Sequence, residues 1–275
     1  MHFRQRITLT ALCLGLPAFW PAPAAQSSGA TQAASTESAK TWIERRAEIE
    51  EYLKTAKVVK LTDIGVGVTN PKRADLEPGG LVAAMAWKPI RPGIYSGFWE
   101  SYKSEIAAYE LDKLLGLDMI PPTVERRVNN DTGAAVMWAA PTKSFKELGG
   151  LPKNVPAEHF VSWNRQLTIA KMFDNLIYNK DPNLGNWLVD PAWNLILIDH
   201  TRAFTSSRDM VHEMTRIDAE LWDRMKALTE ESLKAAIGNW MGGRELRAIL
   251  QRRDRMQQII DKMVAERGAA SVFVK

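Results

Sequence analysis

Asp181, Asn186 and Asp199 have the types and spacing to handle a metal ion and a proton. Residues 186–190 and 195–199 are short strand-like runs around the four-residue loop 191–194, a length that suits an antiparallel hairpin. Pairing Asp190 with Leu195 puts Asn186 opposite Asp199, and directly opposite residues share a face with Cβ atoms ~5 Å apart. An amide oxygen beside a carboxylate is a hard donor pair, suited to Mg²⁺ or Mn²⁺ and leaving room for water and phosphate oxygens. Asp181 stands five residues before Asn186, in the loop entering the hairpin. That spacing alone recurs in any chain rich in Asp and Asn, and Asp181-Pro182-Asn183 also suits plain turn chemistry. The hairpin register is what makes the group specific.

A second group lies in the first half. Lys88 ends a very apolar strand, residues 81–90. Burying an ammonium unpaired is costly, so an acidic partner is expected. Glu105 and Glu110 both flank the apolar stripe of the following helix, and periodicity does not choose between them. A lysine at a strand end can equally reach out to solvent. Gly65 and Gly67, within residues 63–72, would let backbone N–H groups approach a phosphate. A G-x-G by itself more often marks a turn, and neither the full G-x-G-x-x-G nor the P-loop GK[ST] is present.

The elements that must position these residues follow from periodicity. Residues 41–56 read as a helix with Trp42, Ile49, Leu53 and Ala56 on one face. Residues 63–72 suit a strand turning into a loop, and 81–90 a buried strand. A helix is expected over 98–115, with Ala107, Ala108, Leu111, Leu114 and Leu115 as its stripe, Gly116 as its left-handed cap and Pro121-Pro122 beyond it. Residues 123–127 and 134–138 read as strands, and 160–178 as a helix. Strands over 186–199 interrupt the helical pattern, and amphipathic helices fill 215–267. No internal repeat is present. A strand-rich half with one helix, then a larger helical half, is an α+β architecture of two lobes with a cleft between them, residues 41–140 and 141–275.

Composition narrows the class. The chain has 275 residues, 45% hydrophobic and 25% charged, with Gly 17 and Pro 14, which excludes fibrous and wholly disordered proteins. A net charge of +4 without long Lys/Arg runs argues against a nucleic-acid binder. Residues 1–24 read as a secretory signal peptide: Arg4 and Arg6, an apolar run over 7–20, then Ala22-Pro23-Ala24. The run is too short, and broken by Pro17, for a stable membrane span. Cys13 is the chain's one cysteine and leaves with that segment, so no disulfide is expected. Residues 25–40 carry no aromatic and no aliphatic larger than Ala, and read as a disordered linker. The expected location is periplasmic or secreted.

Four blocks, IGVGVTNPKRADLEPGG, MAWKPI, SEIAAYELDKLLGLDMIPPT and KMFDNLIYNKDPNLGNWLVDPAWNLILIDHTRAF, together resemble the atypical protein-kinase-like enzymes. That family groups phosphatidylinositol 3- and 4-kinases, HipA-type kinases and Golgi secretory-pathway casein kinases. The resemblance runs over residues 64–204, and the last block is its most specific part. It implies a two-lobed protein-kinase-like fold with a small strand-rich N-lobe and a larger helical C-lobe. It makes Asp181 the catalytic aspartate and Asn186 and Asp199 the ligands of Mg or Mn. Lys88 becomes the phosphate-gripping lysine, with Glu105 preferred as its partner because it opens the E-x-A-A-Y run. Gly65, Gly67, Val68, Thr69 and Lys72 would cover the phosphates, and Met137 and Trp138 fall where a hinge would meet adenine. Asp174 and Asn179 match positions that shape the catalytic loop. The chain departs from the family at Pro182 and Asn183, where relatives often carry Arg and His, and at His200, which replaces the Phe of a D-F-G.

The implied activity is transfer of a phosphoryl group from a metal-bound nucleotide, with ATP as co-substrate, to a hydroxyl acceptor on a protein, lipid or small molecule. Two rivals share the residues. One is a pseudokinase that binds nucleotide without turnover. The other is a metal-dependent phosphoesterase using Asp181, Asp199 and His200. His159 and His212 read as surface or packing residues rather than metal ligands.

Overall fold

Short β-prone runs separated by tight turns pair in the first half of the chain into an antiparallel sheet. The computed structural model describes residues 37–65, 71–181 and 183–274. The expected leader, most of the expected linker, and Gly67, Val68 and Thr69 lie outside these described residues. Helix α1 (Arg46–Thr55) precedes strands β1 (Val58–Asp63), β2 (Lys72–Leu76) and β3 (Ala84–Lys88). A small hairpin follows, β4 (Gly93–Tyr95) and β5 (Phe98–Glu100), then helix α2 (Tyr102–Leu115) and strands β6 (Thr123–Val128) and β7 (Asp131–Met137). The main sheet runs β1-β2-β3-β7-β6, so β3 is its central strand.

Both faces of this sheet are covered. Met85, Trp87, Val124 and Ala135 pack with Trp42, Ile49 and Leu53 of the α1 region. Ala134 and Val136 face Ile106 of α2. The Arg126 guanidinium donates to the carbonyls of Leu53 (2.6 Å) and Ala56, capping the orphan C-terminal acceptors of α1. Helix α2 is capped at its start by Ser101, whose hydroxyl accepts the Lys103 N–H at 3.1 Å, and at its end by Gly116 with φ 59°. Further along its length Leu111 and Leu115 enter the core of the second lobe. One helix therefore belongs to both lobes.

That second lobe starts at β8 (Lys143–Ser144) and continues with helix α3 (Phe160–Ile177) and strands β9 (Trp187–Val189) and β10 (Leu195–Leu197). Strand β11 (Ile217–Asp218) and helices α4 (Ala219–Lys226), α5 (Glu230–Ile237) and α6 (Gly243–Arg267) follow. Phe173, Leu176, Leu197, Leu221, Met225, Ile249 and Met256 form its core. Among the described residues no helix is long and apolar enough to cross a membrane.

Several expectations need correction. The helix expected over 98–115 starts at Tyr102, because Ser96 (φ 49°) and Gly97 (φ 82°) supply two left-handed turn residues that fold Phe98–Glu100 back onto Gly93–Tyr95. Leu114 lies outside the apolar stripe and is 41% exposed. The helix expected over 41–56 begins at Arg46, with turns before it. The last residues of the expected linker are docked: the Ala39 N–H and the Ser38 hydroxyl donate to Asp190 Oδ2 at 2.8 and 3.2 Å, and Ala39 is buried.

The hairpin register is also one residue off. Leu195 pairs with Val189 and Leu197 with Trp187, not Leu195 with Asp190. Trp193 adopts φ 60°, the Asp190 N–H donates to the Asn194 carbonyl at 3.2 Å, and Asp190 Oδ1 accepts the Asn194 N–H at 2.8 Å. The loop is thus three residues closed by a left-handed one, a common hairpin solution. Asn186 then stands beside Ile198, whose N–H donates to its carbonyl at 3.0 Å.

Candidate active site

A one-residue slip in a regular strand moves a side chain to the opposite face. Asp199 is not in a regular strand, since β10 ends at Leu197 and Asp199 has φ 63°. A left-handed backbone at a residue with a Cβ costs about 1–2 kcal/mol, so tertiary contacts must hold it. One is visible: Lys88 Nζ donates to Asp199 Oδ1 at 2.9 Å, and locally the Thr201 hydroxyl donates to the same oxygen at 3.3 Å.

Lys88 also donates to Glu105 Oε1 at 2.6 Å. Both side chains are buried, so neither charge could persist alone. Burial pushes the Lys88 pKa down, but Asp199 and Glu105 override it and hold the ammonium above the ordinary lysine range. Burial likewise pushes Glu105 up, and the Lys88 ammonium pulls it below the usual carboxylate range. The choice left open by periodicity is made by the helix rotation. Glu105 faces β3, whereas Glu110 pairs with Lys113 at 2.9 Å.

His200 lies underneath. It is 1% exposed, neither ring nitrogen has a hydrogen-bond partner among the described residues, and Nδ1 stays 3.8 Å from Glu105 Oε2. Its ring meets Phe173 edge-on at 6.4 Å between centroids. His200 therefore packs as an aromatic residue would, and the phosphoesterase reading, which needs it in the cleft, loses its histidine.

Asn186 is 5% exposed, and its Nδ2 is buried with no partner among the described residues. Leaving a buried amide N–H unpaired costs about 1–3 kcal/mol. Together with Asp199, adjacent to Ile198, it offers two hard oxygen donors. That set fits Mg²⁺ or Mn²⁺, which commonly take only one or two protein ligands and complete their shell with water and phosphate. Among the described residues no cluster of three or more His, Cys, Asp or Glu offers a competing metal cage.

Asp181 accepts the Asn183 N–H on Oδ1 at 3.1 Å, a small local turn that fixes its carboxylate. Behind it the loop is stiffened. Asp174 accepts from Asn179 Nδ2 at 3.0 Å, and its other oxygen lies 3.0 Å from His212 Nε2. His212 is thus a partner of the loop rather than a mere surface residue.

Sequence reasoning missed three contributors. Asn175 Oδ1 accepts the backbone N–H groups of Val211 and His212, both at 2.7 Å. Arg252, fully buried, donates to the carbonyls of Leu176 (2.7 Å), Thr205 (3.0 Å) and Ser207 (2.7 Å), pinning the end of α3 to the segment after Asp199. Arg202 has Nη1 3.7 Å from Asp181 Oδ2. Its Nε and Nη2 both reach Glu100 Oε1 at 2.9 Å, and its guanidinium lies 4.5 Å from the Phe98 ring centre. The one sequence signal for Arg202 was its place three residues past Asp199.

The other expected residues make contacts of their own. Gly65 has φ 69° with open space around it, at the start of the loop whose central residues are outside the described set. Lys72 reaches Asp63 at 3.4 Å and ties β1 to β2 at the loop's mouth. Met137 is a core residue whose N–H donates to the Pro122 carbonyl at 2.8 Å, and the Trp138 N–H donates to Ala84 at 3.0 Å. The Trp138 ring carries the Arg73 guanidinium at 4.6 Å.

No protein-family model matches the sequence. No curated protein matches it either. Solved structures do. The structure of hydra Fam20 with sugar superposes with a TM-score of 0.65 at 16% identity, covering 83% of this chain and 92% of that one. The Golgi casein kinase with Mn/ADP bound gives 0.59 at 16%, covering 83% and 78%. The Helicobacter pylori proinflammatory kinase CtkA gives 0.50 at 12%, covering 78% and 98%. The chain has the fold of these atypical kinases: a strand-rich lobe and a helical lobe with the Lys88 cluster between them.

Proposed function

We propose that the protein is an exported phosphotransferase that moves the γ-phosphoryl group of a metal-bound nucleotide, ATP above all, to a hydroxyl acceptor. The observation that carries this reading is the buried contact of Lys88 with both Glu105 and Asp199. An ammonium so placed is a fixed positive charge at the floor of the cleft, held in orientation by Glu105 and ready to grip phosphate oxygens. Asn186 and Asp199 would hold Mg²⁺ or Mn²⁺, which when bound neutralises phosphate charge. Asp181 accepts the proton of the acceptor hydroxyl as its oxygen bonds to phosphorus and the bond to the nucleotide's bridging oxygen breaks. Most of the acceleration comes from positioning and charge stabilisation. Residues 1–24 would export the chain, and the Golgi casein kinase solved with Mn/ADP supports the choice of metal and nucleotide.

The direct test is incubation of the protein with γ-labelled and, separately, α-labelled ATP in Mn²⁺. Transfer or release of the γ label alone supports the reading. Transfer of the α label would make the reaction nucleotidyl transfer, and metal-dependent binding without either product would leave a binding module.

A further inference from the structure

The Asp181 carboxylate has a cation close by. Among the described residues Arg202 is the one cation within 4.0 Å of Asp181. Glu100 is 0% exposed, and both Arg202 contacts go to one of its oxygens. A carboxylate is buried this completely only with a partner, so hairpin strand β5 supplies a rigid anchor for the guanidinium. Phe98 of the same strand packs against the guanidinium. With Nε and Nη2 committed to Glu100, the Nη1 group is the edge left toward Asp181, where it makes no hydrogen bond of its own among the described residues. A planar fork held at one edge and free at the other is suited to phosphate.

We propose that Arg202 is a phosphoryl-binding residue whose Nη1 edge donates to an oxygen of the group in transfer, on the side where Asp181 receives the acceptor's proton. This rests on the phosphotransfer reading. As the acceptor oxygen bonds to phosphorus and its proton passes to Asp181, negative charge spreads over the three equatorial phosphoryl oxygens, and the leaving diphosphate takes the electron pair of the broken bond. Lys88 lies between Glu105 and Asp199. Arg202 stands at Asp181 and stabilises the same charge there, in the manner of an arginine finger supplied in cis.

The test uses the full-length chain with Mn²⁺ and γ-labelled ATP, water serving as acceptor, alongside Mn·ADP affinity and thermal melting. Arg202→Gln is expected to lower kcat about 10²-fold, the scale of one lost charge-stabilising donor. KM for ATP and Mn·ADP affinity should stay within about twofold of wild type, as expected for an interaction made mainly in the transition state. Because Arg202→Gln leaves Glu100 buried without a cation, the double variant Arg202→Gln/Glu100→Gln removes both charges and should show the same kcat loss with near-normal melting. Arg202→Lys should regain only part of the rate. Unchanged kcat in the folded double variant overturns the proposal. So does a kcat loss matched by equal losses of Mn·ADP affinity and melting temperature, which marks a structural role. An inactive wild type refutes the phosphotransfer reading itself, whereas an active wild type with an indifferent position 202 refutes this assignment alone.

Discussion

Lys88 Nζ lies 2.9 Å from Asp199 Oδ1, although 111 positions separate the two residues. One comes from the central strand of the N-lobe sheet, the other from a left-handed residue just past β10 in the C-lobe. The contact therefore ties a strand of one lobe to a loop residue of the other. It also explains how the backbone at Asp199 is held against its intrinsic preference.

Lys88→Met should be severely destabilising. It strands two carboxylates, one of them fully buried, and breaking a buried ion pair from one side costs about 3–5 kcal/mol. The double variant Lys88→Met/Glu105→Leu should recover much of that loss while remaining inactive. Denaturant titration of both variants checks this. A single variant as stable as wild type would mean the pair contributes nothing to the fold.

Asp181→Asn should lower phosphoryl transfer by about 10²–10⁴-fold, the range for a positioned general base. Among the described residues its carboxyl meets the Asn183 N–H and the Arg202 edge, so folding and nucleotide affinity should be kept. Turnover equal to wild type would remove Asp181 from the mechanism.

Asn186→Leu should abolish the Mn²⁺-dependent part of nucleotide binding while leaving the apo melting temperature unchanged or higher, because it replaces a buried unpaired amide with an apolar group. Chelation of the wild type should reproduce the same loss of nucleotide-induced stabilisation. Metal-dependent stabilisation that survives in the variant would show that the ion sits elsewhere.

Asp112 gives a pH signature away from the site. Its Oδ1 accepts the N–H groups of Met119 and Ile120, its Oδ2 is buried without a partner among the described residues, and burial pushes its pKa up from 3.8 to about 6. A carboxyl raised in the folded state contributes stability fully below its unfolded value and loses it as pH rises through the folded one. Asp112→Asn, always neutral, should therefore melt higher than wild type at pH 8, with the gap closing by about pH 3.5. Melting curves across that range decide it, and a gap independent of pH would contradict the assignment.

Gly133→Ala tests the strand that carries Lys88. A Cβ at 133 would meet the Lys88 carbonyl oxygen at 2.5 Å and the Pro89 Cα at 2.7 Å, both backbone atoms that no rotamer change can move aside. The substitution should cost about 1–3 kcal/mol by overpacking and weaken nucleotide binding as β3 shifts. Normal melting and affinity would show that the two strands separate at little cost.

Local patterning was legible where chain chemistry is local. Gly116 marks the end of α2 because only a residue without a Cβ takes that backbone freely. The expected helix over 160–178 is α3, and the strands expected over 123–127 and 134–138 fall within or overlap β6 and β7. The hairpin register was not legible, because a three-residue loop closed by Trp193 in a left-handed conformation is decided by how the Trp ring and Asp190 pack, not by residue preference. Nor was the docking of Ser38 and Ala39, whose small side chains carry no hydrophobic signal and whose backbone binds Asp190.

The sequence by itself determined the residue types at the site, the order of the elements and the two-lobed class, since these follow from composition and periodicity along a few neighbouring residues. Only the tertiary structure chose Glu105 over Glu110, turned His200 into packing, bent Asp199 toward Lys88 and brought Arg202 from beyond Asp199 to the side of Asp181. The reason is that periodicity states which side of an element is apolar but not what faces it. Contacts between distant charged groups depend on helix rotation and loop closure, which the packing of both lobes sets together.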